Sequence, residues 1–225
     1  AGFSEPESEN VHLFTRRLQP TVVLSHHTYS EEGLWLRQPS LDPALPPGDI
    51  TPDQSEFTAI GDLLAIATGW ASIPAFQLYP VAGATDDWNY HAQGAIAFTS
   101  EGRGPDFHSF FDQMVRAEWP GMREAILRAA EASVGEGSRI KGTAPPGSTL
   151  RITKTFSIPV CQGFTEEDQC ISPTPTIPER LSSEMVVPAS GEFSWRVNPS
   201  SRPLFPGETW RLTCEAPGGE PVSRE

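Results

Sequence analysis

Proline is the feature that most constrains the fold of this chain, since 23 of its 225 residues are proline. This is about twice the usual share of roughly 5%. Because proline breaks helix interiors and the centres of paired strands, long helices cannot dominate, and many loops and edge strands are expected. Six tryptophans and twelve phenylalanines still provide enough apolar surface for a substantial core. The length allows one large globular domain or two of ordinary size.

The charge of the chain argues against two classes of partner. Sixteen lysine and arginine residues stand against 29 aspartate and glutamate residues, for a net charge of −13 at pH 7. The basic residues are scattered, with Arg16-Arg17 as an adjacent pair, so we expect no cationic surface for nucleic acid or for an anionic membrane. The longest apolar run, residues 63–67, is far shorter than the roughly 20 residues of a membrane-spanning helix. We therefore expect no nucleic acid partner and no membrane span. We also expect a monomer.

All three cysteines, Cys161, Cys170 and Cys214, lie in the last third of the chain. Cys161 and Cys170 are nine residues apart across a polar stretch, a spacing that suits a loop-closing disulfide, with Cys214 left over or pairing instead. Free thiols are the alternative. A zinc site is disfavoured here because this third has no Cys-x-x-Cys and no histidine. A disulfide and the acidic charge together favour an extracellular, secreted protein.

The first 135 residues have the pattern of an α/β layer. Short apolar runs at 21–25 and 94–100 predict buried strands. Apolar residues at helical spacing predict helices over 53–68 and over 120–134, with Pro120 in the first turn of the second. Helices that alternate with apolar strands indicate a largely buried sheet covered by helices.

The rest of the chain has a different pattern and predicts a second domain. We expect a linker at residues 136–145 and a small all-β sandwich domain over 146–225, after a first domain of residues 1–135. Partial period-two alternation predicts its strands, within 149–160, 185–197 and 208–214. Four aromatic residues in these strands are predicted to form its core rather than a ligand platform: Phe156, Phe193, Trp195 and Trp210.

Three segments of the first domain hold candidate functional residues. His26 and His27 follow the first predicted strand, at the strand end where sites usually form in α/β sheets. Glu101 ends the second apolar strand, where partial desolvation would raise its pKa toward the range useful to a general base. The segment 79–90 is a polar, aromatic, glycine-containing stretch that suits a binding loop. Each has a plain alternative: a structural imidazole, a solvated acid or an ordinary surface loop.

Taken in order, these segments resemble the zinc carboxypeptidase family of the pancreatic A and B type. Residues 2–8 resemble the Phe-Ser-Glu-Pro-Glu-Thr segment with which the family enters a helix, and Tyr79 and Glu101 are separated by 22 residues, as the family pattern requires. The matching segments are residues 2–8 (Gly-Phe-Ser-Glu-Pro-Glu-Ser), 27–30 (His-Thr-Tyr-Ser), 78–90 with Leu-Tyr-Pro and Asp-Asp-Trp-Asn-Tyr, and 98–101 (Phe-Thr-Ser-Glu). The resemblance covers about residues 1–134.

The resemblance implies a fold and a role for four residues. The fold would be part of a three-layer carboxypeptidase domain with a mixed sheet. His27 would be a zinc ligand, Glu101 the general base for a zinc-activated water, and Tyr79 the mobile aromatic that closes over the C-terminus of a peptide. Asp86 falls where B-type enzymes have an acid at the base of the specificity pocket, which would favour C-terminal Lys or Arg. The partners would be peptide or protein C-termini.

One departure from the family concerns the metal. The other two zinc ligands of the family come from a His-x-x-Glu motif, and none of the five histidines of this chain begins one. A catalytic zinc normally has three protein ligands, so the remaining ligands are expected upstream of residue 1. We therefore expect the C-terminal part of a secreted metallocarboxypeptidase, inactive alone. The alternative is a non-catalytic, carboxypeptidase-like binding or scaffold protein.

Overall fold

The structure, a computed structural model, describes residues 5–37, 53–79, 83–135, 138–159, 176–198, 209–219 and 222–224. The chain divides into two compact units. One unit is formed by Pro20–Glu136, and the other by Ala1–Gln19 together with Gly137–Glu225. No helix among the described residues is long and apolar enough to cross a membrane.

Four α-helices and ten strands are described. The helices are α1 (Pro6–Leu18), α2 (Gln54–Thr68), α3 (Thr85–Gln93) and α4 (Arg116–Val134). A 3-10 turn at Ala75–Gln77 and a π-helical turn at Phe111–Val115 are also present. The strands are β1 (Val22–Ser30), β2 (Leu34–Arg37), β3 (Ala71–Pro74), β4 (Ile96–Arg103), β5 (Arg139–Thr143), β6 (Thr149–Pro159), β7 (Thr176–Val186), β8 (Glu192–Arg196), β9 (Arg211–Glu215) and β10 (Val222–Arg224).

The unit Pro20–Glu136 contains a mixed four-stranded sheet in the order β1-β4-β2-β3. β4 runs parallel to β1 and antiparallel to β2, and β2 runs parallel to β3. The predicted α/β class with a mixed sheet is therefore confirmed. β4 is an inner strand, so its residues have a neighbouring strand on both sides.

Apolar side chains of the sheet and helices form the core of this unit. The side chains of Trp35, Phe57, Leu64 and Phe98 are fully buried in one cluster. Phe57 and Leu64 lie seven residues apart on α2, which places them on one face of the helix. The helix ends at Gly69, whose φ of 71° is the left-handed conformation that favours glycine. This agrees with the helix predicted over 53–68.

Helix α4 begins earlier than the sequence predicts. It starts at Arg116, directly after the π-helical turn, so Pro120 lies inside the helix rather than in its first turn. Because proline has no N–H, Pro120 cannot donate to the carbonyl oxygen of Arg116. The tertiary contacts of the helix therefore outweigh the lost hydrogen bond, since Ala125 and Ala129 are buried in the same core as Phe57 and Leu64.

The second unit contains two antiparallel sheets, in the orders β10-β9-β6-β7 and β5-β8. Leu150 and Ile152 of one sheet share a buried cluster with Trp195 of the other, as in a β-sandwich. The prediction that the four aromatic residues are core is confirmed: Phe156 and Trp195 are buried, and Phe193 and Trp210 are partly buried against the same cluster. Cys214 is paired with no described cysteine, and Cys161 and Cys170 lie outside the described residues.

Helix α1 belongs to this second unit. Its His12 Nε2 lies 2.8 Å from Glu179 Oε1 on β7, and Arg16 approaches the other carboxylate oxygen at 3.4 Å. The sequence-based division instead placed residues 1–135 together, with a linker at 136–145 where the structure has β5. That division into functional parts stays a prediction, whereas the compact units are those given above.

Candidate active site

The register between β1 and β4 brings the candidate residues together. His26 lies opposite Ser100 and His27 lies opposite Glu101 in this parallel pair. Because successive side chains of a strand project to opposite faces, the two adjacent histidines have different surroundings. Only one of them can share a face with Glu101.

His26 lies on the face opposite to Glu101. A hydrogen bond joins its Nδ1 to the buried hydroxyl of Ser100 at 2.8 Å, and its ring meets the ring of Trp35 edge-on at 6.3 Å between centroids. Burial, and to a smaller degree the charge of His27, lower the pKa of His26. These contacts fit a structural imidazole, which was one of the two interpretations of the histidine pair.

His27 lies beside Glu101. Its Nδ1 is 3.8 Å from Oε1 of Glu101, which is close enough for an electrostatic interaction but too long for a hydrogen bond. Its Nε2 lies 3.3 Å from the hydroxyl of Ser25, two residues earlier on the same face. The His27 side chain is 57% exposed, against 11% for Glu101. At this exposure, the imidazole of His27 is accessible to a ligand that arrives from solvent.

Glu101 is held in a partly desolvated position. It lies on the central strand, with His27 of β1 on one side and Leu34 of β2 on the other. Burial raises the pKa of Glu101 above its ordinary value, and the neighbouring His27 acts in the opposite direction with a smaller effect. A carboxylate with a raised pKa accepts protons more readily, as a general base requires.

Asp86 lies on a helix and not in a solvated loop. Residues 85–93 of the predicted binding segment form α3, with Asp86 in its first turn and fully buried. The hydroxyl of Thr99 on β4 donates a hydrogen bond to its Oδ2. Asp87 accepts a hydrogen bond from the backbone N–H of Ala84 at 3.0 Å, which caps the helix. Thr99 and Glu101 are two residues apart on β4, so both side chains project from the same face of that strand.

Tyr79 is not joined to these residues. It follows the 3-10 turn, and the residue is 56% exposed. Across the parts of the chain that the structure describes, neither a hydrogen bond nor a ring contact links it to His27 or Glu101. Residues 80–82 of the same segment lie outside the described residues.

Sequence reasoning missed two polar and aromatic neighbours of the site. Thr99 binds Asp86, and its only signal was its place two residues before Glu101 within the matching segment. Phe107 packs edge-on against Tyr29 at 5.0 Å between ring centroids. Tyr29 lies two residues after His27, but nothing in the sequence linked it to Phe107.

The donors described here do not complete a catalytic zinc site. No group of three or more His, Cys, Asp and Glu side chains that could hold a metal ion occurs within the described ranges. His27 and Glu101 are two such donors, whereas a catalytic zinc normally has three protein ligands and a water. The imidazole of His27 suits one ligand position, and the described residues do not fill the others.

Comparison with known proteins agrees with the fold. A sequence model of the zinc carboxypeptidases matches residues 1–119. No curated protein matches the chain. Among solved structures, bovine thrombin-activatable fibrinolysis inhibitor in complex with tick carboxypeptidase inhibitor is 21% identical, with a TM-score of 0.50 and coverage of 59% of this chain and 46% of that chain. Carboxypeptidase A from Helicoverpa armigera is 19% identical, with a TM-score of 0.48 and coverage of 60% and 35%.

The solved structures and the sequence model support different conclusions. The chain spans 46% and 35% of the lengths of these two solved chains, and the bovine structure supports the fold alone. The sequence model covers more than half of the 225 residues and includes His27, Tyr79, Asp86 and Glu101. This chain therefore belongs to the zinc carboxypeptidase family.

Proposed function

We propose that this chain provides part of the active site of a zinc carboxypeptidase, an exopeptidase that hydrolyses the C-terminal residue of a peptide. The observation that carries the proposal is the β1–β4 register, in which an accessible imidazole, His27, lies 3.8 Å from a desolvated carboxylate, Glu101. In the proposed division of roles, Glu101 is the general base and His27 is one metal ligand.

The proposed role of Glu101 follows from its surroundings. As the base, it removes a proton from the water that attacks the scissile carbonyl carbon. It then returns that proton to the nitrogen of the leaving amino acid as the C–N bond breaks, which leaves Glu101 ionised again. Burial, which raises the pKa of Glu101, favours the first of these transfers.

The proposed role of His27 requires other residues. The family implies zinc, and His27 is the described imidazole that remains both accessible and adjacent to Glu101. With no His-x-x-Glu in the sequence, the remaining ligands would come from residues outside these 225. We therefore propose that the chain alone has negligible peptidase activity.

The proposed substrate preference concerns Asp86 and Tyr79. A preference for C-terminal Lys or Arg is supported by the carboxylate of Asp86, held by Thr99 on the face of β4 that also presents Glu101. Because Asp86 is fully buried, a basic side chain could pair with it only after the covering residues move. Tyr79, which is exposed, would close over the peptide C-terminus.

An extracellular location is proposed from the acidic charge.

A second candidate function is a non-catalytic, carboxypeptidase-like binding or scaffold protein. The observation in its favour is that, among the described residues, no group of three metal-binding side chains occurs, whereas a catalytic zinc uses three protein ligands. The two candidates differ in the coding sequence that adjoins the codon for Ala1. An in-frame His-x-x-Glu there supports the enzyme, and a coding sequence without one supports the scaffold protein.

Hydrolysis of defined peptides tests the proposal. Purified chain 1–225 is incubated with added zinc and with peptides that end in Arg or in Phe, and the released amino acid is quantified. We expect no release above the rate of the Glu101→Gln variant. Zinc-dependent release that this substitution abolishes would contradict the proposed inactivity of the isolated chain.

A longer protein that includes an adjoining His-x-x-Glu tests the role of Glu101. In that protein, Glu101→Gln should lower kcat by about 10²–10⁴-fold, the usual contribution of a general base. The matched control is Glu131→Gln, on the exposed surface of α4, which should leave kcat unchanged. Equal losses in the two variants would refute the proposed base.

A further inference from the structure

We propose that the second unit has an anion-binding site for a small ligand with a phosphate or sulfate ester, on the outer face of the β9-β6-β7 sheet. Three arginines and four threonines line an open depression of about 510 Å³ on this face. The site lies outside the proposed active site, and no residue of the proposed catalytic machinery takes part in it.

The alternation of β6 separates this face from the core. Leu150 and Ile152 are buried in the sandwich core, whereas Arg151, Thr153 and Thr155 project from the other face. The same alternation is present on β7, where Leu181 is buried and its neighbour Arg180 is exposed. The lining is thus a regular polar face of the sheet.

The strand register places two arginines around two hydroxyls. Thr155 lies opposite Arg180 of β7, and Thr153 lies opposite Arg211 of β9. β7 and β9 are each one strand away from β6, so their backbones are about 10 Å apart. At this spacing, two arginine side chains can contact one ligand from opposite sides. The hydroxyls of Thr153 and Thr155 lie between them and can donate hydrogen bonds.

The two acidic residues that the structure describes on this face lie at its other end. Glu184 is paired with Arg151 through a 2.6 Å contact to Nε, and Glu215 lies opposite Thr149. These register positions precede Thr153 on β6, whereas Arg180 and Arg211 lie beside Thr155 and Thr153. Among the described residues, no ion pair engages Arg180.

The lining indicates the class of ligand. Guanidinium groups bind tetrahedral oxyanions through paired hydrogen bonds, and hydroxyls complete such sites. Among the described residues, the lining includes no aromatic side chain on which a nucleic acid base could stack. The net charge of −13 also disfavours a long polyanion. Salt screens the attraction of a local positive patch over short distances, so the rest of a long polyanion would face the negative charge of the protein. The volume exceeds that of a free ion and falls in the range of small-ligand sites.

Calorimetric titration of chain 1–225 tests the site. In Tris buffer at fixed NaCl, the probes are glucose 6-phosphate, glucose 6-sulfate, inorganic phosphate and glucose. We expect saturable binding of the two esters and none of glucose. If inorganic phosphate binds as tightly as the esters, the oxyanion alone is the ligand, which still supports the site. Absence of saturable binding by all anions would overturn the proposal.

Variants identify the residues involved. Arg180→Gln and Arg211→Gln should each weaken ester binding by roughly tenfold, the effect of losing a charged hydrogen bond. Thr155→Val, which keeps the shape and the strand preference, should weaken it by a smaller factor. The matched control is Arg139→Gln, on the other sheet of the same unit, which should leave the affinity unchanged. Thermal unfolding of each variant checks that the fold is intact.

Two results would contradict this assignment. One is an equal loss of affinity in Arg139→Gln and in Arg180→Gln, which would indicate only general charge attraction. The other is tighter binding of a single-stranded oligonucleotide than of the sugar esters, lost in Arg211→Gln, which would indicate a macromolecular partner for the same face.

Discussion

Replacing Thr99 by valine isolates the contact that fixes Asp86 in the candidate site. Valine has nearly the shape of threonine and suits a strand equally well, so the substitution creates no cavity. It removes the hydroxyl that donates to the carboxylate of Asp86, whose residue is 0% exposed. Leaving a buried polar group without its hydrogen-bond partner costs about 1–3 kcal/mol, and water cannot replace the hydroxyl at a buried site. We therefore expect Thr99→Val to lower the free energy of unfolding by about 2 kcal/mol.

A double-mutant cycle makes this expectation specific. Urea unfolding is measured for the wild type, Thr99→Val, Asp86→Ala and the double variant. The two substitutions should be non-additive, with a coupling energy of about 1–3 kcal/mol. Asp86→Ala alone should cost more than the coupling energy, because Asp86 has further interactions. A coupling energy below about 0.5 kcal/mol, the usual scatter for independent sites, would refute the contact as the anchor of Asp86.

Three further predictions concern the core and the two faces of β1 and β4. Leu64→Ala removes a fully buried side chain of α2 and should lower the free energy of unfolding by about 2–5 kcal/mol in urea titrations; a loss below 1 kcal/mol would contradict the packed core. His26→Ala leaves the hydroxyl of buried Ser100 without this hydrogen-bond partner and should lower the free energy of unfolding by about 1 kcal/mol. His27→Ala changes a mainly exposed side chain and should lower it by less. The reverse order would contradict the assignment of the two histidines to opposite faces. Glu101→Gln should stabilise the fold at neutral pH. Burial raises the pKa of Glu101 in the folded state, so the free energy of unfolding of the wild type falls as the pH rises from the unfolded-state pKa through the folded-state pKa. Unfolding measured at pH 4 and pH 7 should show a gain only at pH 7, and an equal gain at both would refute this prediction.

Much of the geometry of the candidate site could be predicted from local sequence. The apolar runs before His26-His27 and before Glu101 identified β1 and β4, although both strands continue past these residues, to Ser30 and Arg103. The order of motifs identified the family. The alternation of a strand then implies that only one of two adjacent histidines can face Glu101. Which of the two does so depends on the register between β1 and β4.

Other features depend on tertiary contacts that leave no local pattern. Segment 85–93 is polar, with two aspartates and a histidine, so no apolar periodicity revealed α3, although its polar side chains are buried. Likewise, the 2.8 Å contact between His12 and Glu179 joins residues 167 positions apart, and it attaches α1 to a β strand that the sequence placed in another domain. Propensity and periodicity describe neighbours along the chain and cannot reveal such pairs.

The adjacency of His27 and Glu101 is the central claim, and an NMR titration of the Glu101 carboxyl group tests it most directly. The titration is recorded for the wild-type chain and for His27→Ala. We predict a pKa of Glu101 above its ordinary value of 4.5 in both proteins, because burial dominates. The pKa should be higher in His27→Ala, because protonated His27 favours the ionised carboxylate and its removal ends that effect. A Glu101 pKa at or below the ordinary value, or one that His27→Ala leaves unchanged, would contradict the account.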